Sequence, residues 1–407
     1  MNTYDIVRLG HHGDGIAEGP IFAPLTLPGE QISGRLNGDR LSEVKIIAPS
    51  DDRVAPPCRH FKACGGCQLM HASDSFVANW KQDVVVRALS AQGIDAAFRP
   101  IETSPAGSRR RATFSARRTK KAAMAGFHGR ASGVIVEIPD CHLLHPDLVA
   151  ARPVAEALAV LGASRKAALA VQVTLSANGL DILATGGKPL DRTLEVGLGE
   201  LAGQHNIARL VWGEEPIAMR APPAQSFDGI RVVPPPGAFL QATDHGQSVL
   251  IAAMTEAVQG ADRVADLFAG CGTFALPLSR AAAVHAIEGA RDMLEALDDS
   301  WRKAEGLKKV TTEPRDLFRN PLLPDELNRF DALVLDPPRA GAEAQVAEVA
   351  KSKIAQIGFV SCNPVTFARD ASVLIAAGFR LDWVQVVDQF RWSSHIELAA
   401  RFSRPHM

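Results

Sequence analysis

No stretch of the chain approaches the roughly 18 uncharged apolar residues that a membrane-spanning helix requires. Met1 to Gly10 also lacks the basic-then-apolar pattern of a secretory leader. A cytoplasmic protein is therefore expected. There is no surplus of charge either: 44 Lys and Arg face 45 Asp and Glu, a net charge of −1. The global field is weak, so any nucleic acid must be held by a local patch. Cysteines are few, six in the whole chain, and in the cytosol they argue against a disulfide scaffold. No internal repeat or low-complexity tract is visible. What remains is an ordinary globular composition, 46% hydrophobic and 22% charged, in 407 residues, too many for one compact core. Two or three domains are expected.

One local absence is informative. No acidic residue falls between Glu102 and Glu137, yet Arg109, Arg110, Arg111, Arg117, Arg118, Lys120, Lys121 and Arg130 do. A basic run is often only a solvated face; with other signals it becomes a candidate phosphate-binding surface, led by Arg109, Arg110 and Arg111.

The pattern of elements divides the chain in three. Residues 1–52 read as short strands between glycine turns, with Gly13-Asp14-Gly15 and Leu27-Pro28-Gly29-Glu30, a pattern expected of a small β-barrel. Residues 53–230 read as mixed α+β. They include a helix over 75–92 that is a candidate for packing on the next unit, strands at 112–115, 125–128, 134–138, 170–176 and 180–184, and a helix over 150–161. Residues 231–407 alternate strand and helix, which predicts a doubly wound parallel sheet of Rossmann-like α/β type. Its predicted strands are 263–267, 284–288, 332–335 and 357–361; its predicted helices are 243–258, 273–280, 290–304 and 366–377.

The third unit carries the chemistry. Strand 264–268 runs into Ala269-Gly270-Cys271-Gly272-Thr273, where Gly270 and Gly272 allow close backbone approach to a ligand at the carboxyl end of a strand. Glu288 ends the next strand, placed to accept hydrogen bonds from ribose hydroxyls. The third glycine of a dinucleotide fingerprint is missing, so S-adenosylmethionine is preferred over NAD. Cys271 reads as a small residue beside the cofactor. Asp336-Pro337-Pro338-Arg339 lacks the aromatic residue expected of an amino-methyltransferase. Downstream come Ser361-Cys362-Asn363-Pro364 and His395-Ile396-Glu397. A thiolate and a carboxylate suit methylation of a pyrimidine carbon. Thiolate addition to carbon 6 gives carbon 5 nucleophilic density, and a base must later remove the carbon 5 proton. Cys362, just before a helix start, suits the nucleophile, with its thiolate expected to be stabilised by the helix N-terminus.

Together with Phe239-Leu240-Gln241, these segments resemble, in order and spacing, the RNA uracil-5 methyltransferase family, over essentially the whole chain. The resemblance implies that Gln241, Phe268, Glu288 and Asp316 contact the methyl donor, with Asp336 between donor and target base. It implies Cys362 as nucleophile and Glu397 as base. Family members often carry Asn where Asp316 stands. The N-terminal segment is similar to a TRAM domain, an OB-like RNA-binding barrel.

Cys58, Cys64, Cys67 and Cys141 supply four thiolates, which suit either tetrahedral zinc or a [4Fe–4S] cluster. The arrangement is similar to the ribosomal-RNA members of the family, which implies the cluster, in a structural role. Nearby His60, His71, His142 and His145 are expected to be solvent-facing or locally bonded. The substrate implied is 23S ribosomal RNA, reached by base flipping, with transfer RNA as the alternative and a monomer expected. A non-catalytic metal-containing RNA-binding protein and a cytosine-5 methyltransferase are the competing classes; Ser361-Cys362-Asn363 does not fit the Pro-Cys or Thr-Cys motif of the latter.

Overall fold

The computed structural model describes residues 2–405. Five strands at the N-terminus close into a barrel in the order Asn2–Leu9, Gly15–Ala17, Ile21–Ala23, Arg40–Ala48, Gln31–Asn37. Its core is small: Ile6, Ala17, Ala23, Ile32 and Leu41. The glycine turn has a packing reason, because a Cβ on Gly15 would lie 2.1 Å from the Thr26 hydroxyl. Glu30 of the Leu-Pro-Gly-Glu turn is buried; its carboxylate accepts from the Leu27 amide at 2.8 Å and pairs with Arg53. Burial pushes its pKa up, but Arg53 and the backbone donors win and hold it below the usual value. A buried carboxylate so paired staples the barrel to the segment after it.

The middle of the chain forms a seven-stranded sheet, ordered Glu215–Met219, Ile207–Trp212, Gly179–Thr185, Leu169–Ser176, Arg111–Arg118, Ala123–His128, Ile135–Val136. Helices Arg152–Gly162 and Arg192–Gln204 bury Val154, Leu158, Leu194 and Leu198 against it. Strand Ile207–Trp212 is buried at every position, so it shows no alternation in the sequence.

The third sheet has eight strands in the order Val310–Pro314, Ala283–Glu288, Arg263–Leu267, Ala332–Leu335, Gln356–Ser361, Leu398–Ser403, Arg380–Asp388, Glu102–Thr103. The first five are parallel, and Leu398–Ser403 then runs antiparallel to both its neighbours. One apolar cluster covers each face. The last strand comes from far upstream: Glu102–Thr103 pairs with Val387 and Asp388. Helix Asp74–Ser90 comes with it. Ser73 caps the helix by accepting from the Phe76 amide, and Val85 and Leu89 enter the core of the third sheet with Ile94. Its inner face also carries Lys81, fully buried, which pairs with Asp388 at 2.6 Å. Breaking such a pair by removing one partner costs about 3–5 kcal/mol, because the remaining charge has nowhere to go.

Candidate active site

Parallel strands all end at the same edge of the third sheet, and that edge gathers the residues singled out by sequence. Phe268 follows Arg263–Leu267, Glu288 ends Ala283–Glu288, Asp336 follows Ala332–Leu335, and Cys362 follows Gln356–Ser361. Glu397 reaches the same edge from the opposite direction, since it precedes the antiparallel strand Leu398–Ser403. Ser361 pairs with Leu398, so the next positions outward on the two strands are Cys362 and Glu397.

These residues line one cavity of about 700 Å³, with Gln241, Gly270, Asp316, Arg109 and Arg339 also on its wall. At one end the rings of Phe268 and Phe318 lie 5.4 Å apart. Phe268 holds a left-handed φ of 64°, which turns the chain sharply out of the strand into Gly270 at 54°. Glu288 accepts from the amides of Gly270 and Ala290, both at 3.0 Å, which fixes the loop. Gly272 does not line the cavity: a Cβ there would lie 2.9 Å from Leu297, so this glycine serves packing. Cys271 is buried beside the cavity, and desolvation pushes its thiol up to about 12.

The other end is acidic. Burial raises the Asp336 carboxyl to about 7. Glu397 is 3% exposed and also raised, by desolvation first and by Asp336 second. Cys362 is pushed up to about 11 by desolvation, then by Glu397 and Asp336. This corrects the expectation of a thiolate stabilised by the helix N-terminus. Helix Pro364–Ala376 does begin two residues later, with Asn363 as its cap, but burial first, and then Glu397 and Asp336, leave the resting thiol raised. Behind Phe268, Asp266 is fully buried and neither carboxylate oxygen has a hydrogen-bond partner; the Ala275 amide approaches without meeting hydrogen-bond geometry.

Gln389 and Phe390, which sequence reasoning passed over, and His395, which it quoted without a role, complete the site. Gln389 donates to Glu397 at 3.2 Å and to Gln241 at 2.6 Å, and accepts from the Ala242 amide at 2.7 Å. Phe390 meets the His395 ring edge-on at 5.7 Å. His395 in turn accepts through Nδ1 from Arg339 at 2.7 Å. Burial, then Arg339, hold His395 below its usual pKa, so it stays neutral. None has a periodic signal, because their partners are more than 50 residues away or lie across an irregular loop.

The basic run is divided. Arg109 reaches the cavity. Arg110, expected among the phosphate contacts, is instead 4% exposed and turned inward; it pairs with Asp244 and donates to Gln247 at 2.8 Å and to the Gln241 carbonyl at 3.2 Å. Arg111 lies half-buried over the Phe239 ring, 4.7 Å from its centre.

The four upstream cysteines converge. Burial first, and then the thiols of Cys141, Cys64 and Cys58, push Cys67 up to about 12. Cys64 and Cys141 are raised for the same reason, burial first. Among the described residues, however, no three His, Cys, Asp or Glu side chains are arranged to hold a metal ion. The expected iron–sulfur centre thus finds a gathered donor set but no preformed ligand geometry. No helix among the described residues is long and apolar enough to cross a membrane.

Residues 235–404 match the family profile described as tRNA (Uracil-5-)-methyltransferase. An uncharacterized RNA methyltransferase of Rhizobium meliloti is 43% identical, with 99% of each chain covered. The 23S rRNA (uracil(1939)-C(5))-methyltransferase RlmD of Pectobacterium atrosepticum is 31% identical over 98% of this chain and 93% of its own. The crystal structure of Pyrococcus abyssi tRNA (uracil-54, C5)-methyltransferase superposes with a TM-score of 0.77, covering 98% of this chain and 99% of that one at 20% identity. With relatives matched end to end, and the acid–thiol cavity at the strand edge, the chain belongs to the RNA uracil-5 methyltransferase family.

Proposed function

We propose that this enzyme methylates carbon 5 of a uridine in 23S ribosomal RNA, using Cys362 as nucleophile and Glu397 as base. The observation that carries the reading is the adjacency of Cys362 and Glu397 across an antiparallel pair, with Asp336 in the same cavity. The cavity suits S-adenosylmethionine: an aromatic wall at Phe268 and Phe318, Glu288 and Asp316 for polar contacts, and acidic groups facing a cationic donor. Gln241 and Gly270 complete the donor's surroundings. The donor supplies an activated methyl group.

With the cationic donor bound, the Cys362 thiol gives up its proton to solvent, the thiolate adds to carbon 6 of the flipped base, and the electrons of the carbon 5–carbon 6 double bond move into an enolate. Carbon 5 then attacks the methyl group, and the donor's carbon–sulfur bond breaks. Glu397 takes the proton from carbon 5, the double bond re-forms, and the carbon–sulfur bond to Cys362 breaks. Asp336 and Glu397 are poised to change protonation state because burial holds both above their usual values. Transfer RNA is the second substrate reading; the relative named for 23S rRNA, matched over 98% of this chain, favours ribosomal RNA.

The N-terminal barrel is read as a TRAM-type RNA contact, and Arg109 as a residue at the RNA-facing mouth of the cavity. Cys58, Cys64, Cys67 and Cys141 would hold a [4Fe–4S] cluster. The donor set suits it, since burial first and then neighbouring thiols raise Cys64, Cys67 and Cys141, and Gly66 offers its amide to Cys64 at 3.4 Å. Its contribution there would be structural cross-linking. Anaerobic purification with iron and sulfide determination tests the cluster.

The test of the main reading is incubation of enzyme and donor with 5-fluorouridine-substituted 23S RNA fragments. A stable protein–RNA adduct that disappears in Cys362→Ala is expected. Absence of adduct and of methyl transfer to any RNA would refute it and favour a non-catalytic RNA-binding protein.

A further inference from the structure

Glu397 ends a strap, residues 388–397, whose other points are fastened to the amino-terminal half of the chain. Asp388 is buried against Lys81, and the same ammonium donates to the Phe390 carbonyl at 3.1 Å. Arg391 pairs with Asp74 and donates to the Ser104 carbonyl at 3.2 Å. At the middle of the strap, the consecutive amides of Gln68 and Leu69 donate to the Trp392 carbonyl at 2.8 and 2.9 Å. Those two residues directly follow Cys67. The Trp392 ring is 7% exposed and packs with Phe61, Met70 and Leu143, and Cys58, Cys67 and Cys141 pack against the same group. Trp392 also holds a φ of 59°, a left-handed conformation that bulky residues avoid and that persists only where the surroundings impose it. Only four residues separate it from Glu397, and the Ser393 hydroxyl takes up slack by accepting from the His395 amide at 3.2 Å.

We propose that Trp392 is a positioning residue through which the cysteine-bearing loop sets where Glu397 stands against carbon 5 of the substrate. The proposal rests on the assignment of Cys362 and Glu397 given above. A displaced cysteine loop moves the Trp392 carbonyl and ring, and the short link passes that shift to the base. Gln389, within the same strap, is bonded to both Glu397 and Gln241 and so ties this stretch to the donor side of the cavity. The step affected is removal of the carbon 5 proton, which comes after methyl transfer. A mispositioned base therefore leaves methylated RNA attached to Cys362.

The test uses the full chain purified without oxygen, S-adenosylmethionine, and RNA bearing natural uridine. Trp392→Ala is expected to lower turnover on the order of 10- to 100-fold, as a misplacement near 1 Å does. Methylated, denaturant-stable RNA adduct should accumulate, with affinity for S-adenosylhomocysteine held within about twofold. Trp392→Phe, which keeps an aromatic ring in the packing, is expected to recover most of the turnover. Turnover within about twofold of wild type, or a loss without accumulated adduct, overturns the proposal. If the alanine variant does not fold, Trp392→Leu is judged by the same two outcomes. Failure of the wild type to form an adduct with 5-fluorouridine RNA overturns the parent assignment and this proposal with it. A wild-type adduct beside an unaffected Trp392 variant overturns this proposal alone.

Discussion

Cys67 and Cys362 are both half-hidden thiols pushed up by burial, to about 12 and about 11, yet their neighbours differ in kind. Around Cys67 stand three more thiols, with Arg109 partly offsetting them. Around Cys362 stand two carboxylates, with Arg339 opposing. In the first group several sulfurs face one another, so one ligand can bind them together. The second is relieved by a transient positive charge, and a sulfonium donor is one. Four like groups therefore point to a resident cross-link, whereas a thiol among unlike acids points to turnover.

The sharpest way to break that contrast is at Cys362. Cys362→Ala should abolish methyl transfer, by more than about 10³-fold in turnover, because a missing nucleophile is not replaced by its neighbours. Its melting temperature should match wild type. Glu397→Gln comes next. Turnover should fall on the order of 10²- to 10⁴-fold while methylated adduct accumulates, as removal of a general base predicts; gel electrophoresis under denaturing conditions reads it. Cys64→Ser should do the reverse of Cys362→Ala, lowering the melting temperature by about 5 °C or more in a thermal scan, with a smaller effect on chemistry per folded molecule. Equal destabilisation by both cysteine substitutions would erase the distinction.

The smallest effect is in pH. Burial holds Asp336 at about 7 and Glu397 above its usual value, so the empty cavity keeps protons that an exposed site would lose. A cationic donor prefers the deprotonated cavity. Affinity for S-adenosylmethionine should therefore rise by about three- to tenfold between about pH 6 and about pH 8, with protons released on binding. S-adenosylhomocysteine, without the sulfonium charge, should gain less. Calorimetry in buffers of differing protonation enthalpy measures both.

Much of the cavity was legible in the sequence because strand ends announce themselves. A buried apolar run followed by Asp-Pro-Pro, Cys-Asn-Pro or Gly-x-Gly marks both a strand and the edge where its chemistry sits. Glu397 was found by resemblance, and the antiparallel strand after it went unread, as did Arg380–Asp388. The reading of the helix at 75–92 is instructive in the same way. Lys81 on its inner face blurs the apolar stripe, and only the distant Asp388 explains a lysine there. Arg110 misled for the opposite reason: a basic run says nothing about which member turns inward to Asp244. Gln389 has no signal at all, since its three partners come from two separate segments.

The strand Glu102–Thr103 and the ion pair of Lys81 with Asp388, 307 residues apart, bear on how the molecule is made. The C-terminal sheet is finished by a piece of chain synthesised long before it. During translation, helix Asp74–Ser90 must wait with Val85, Leu89 and an unpaired Lys81 exposed until the last strands emerge. Contacts of such long sequence separation form late and slow the final step of folding. A fragment beginning at residue 231 would lack its edge strand and one wall of its core, and would expose apolar surface where the full chain buries it.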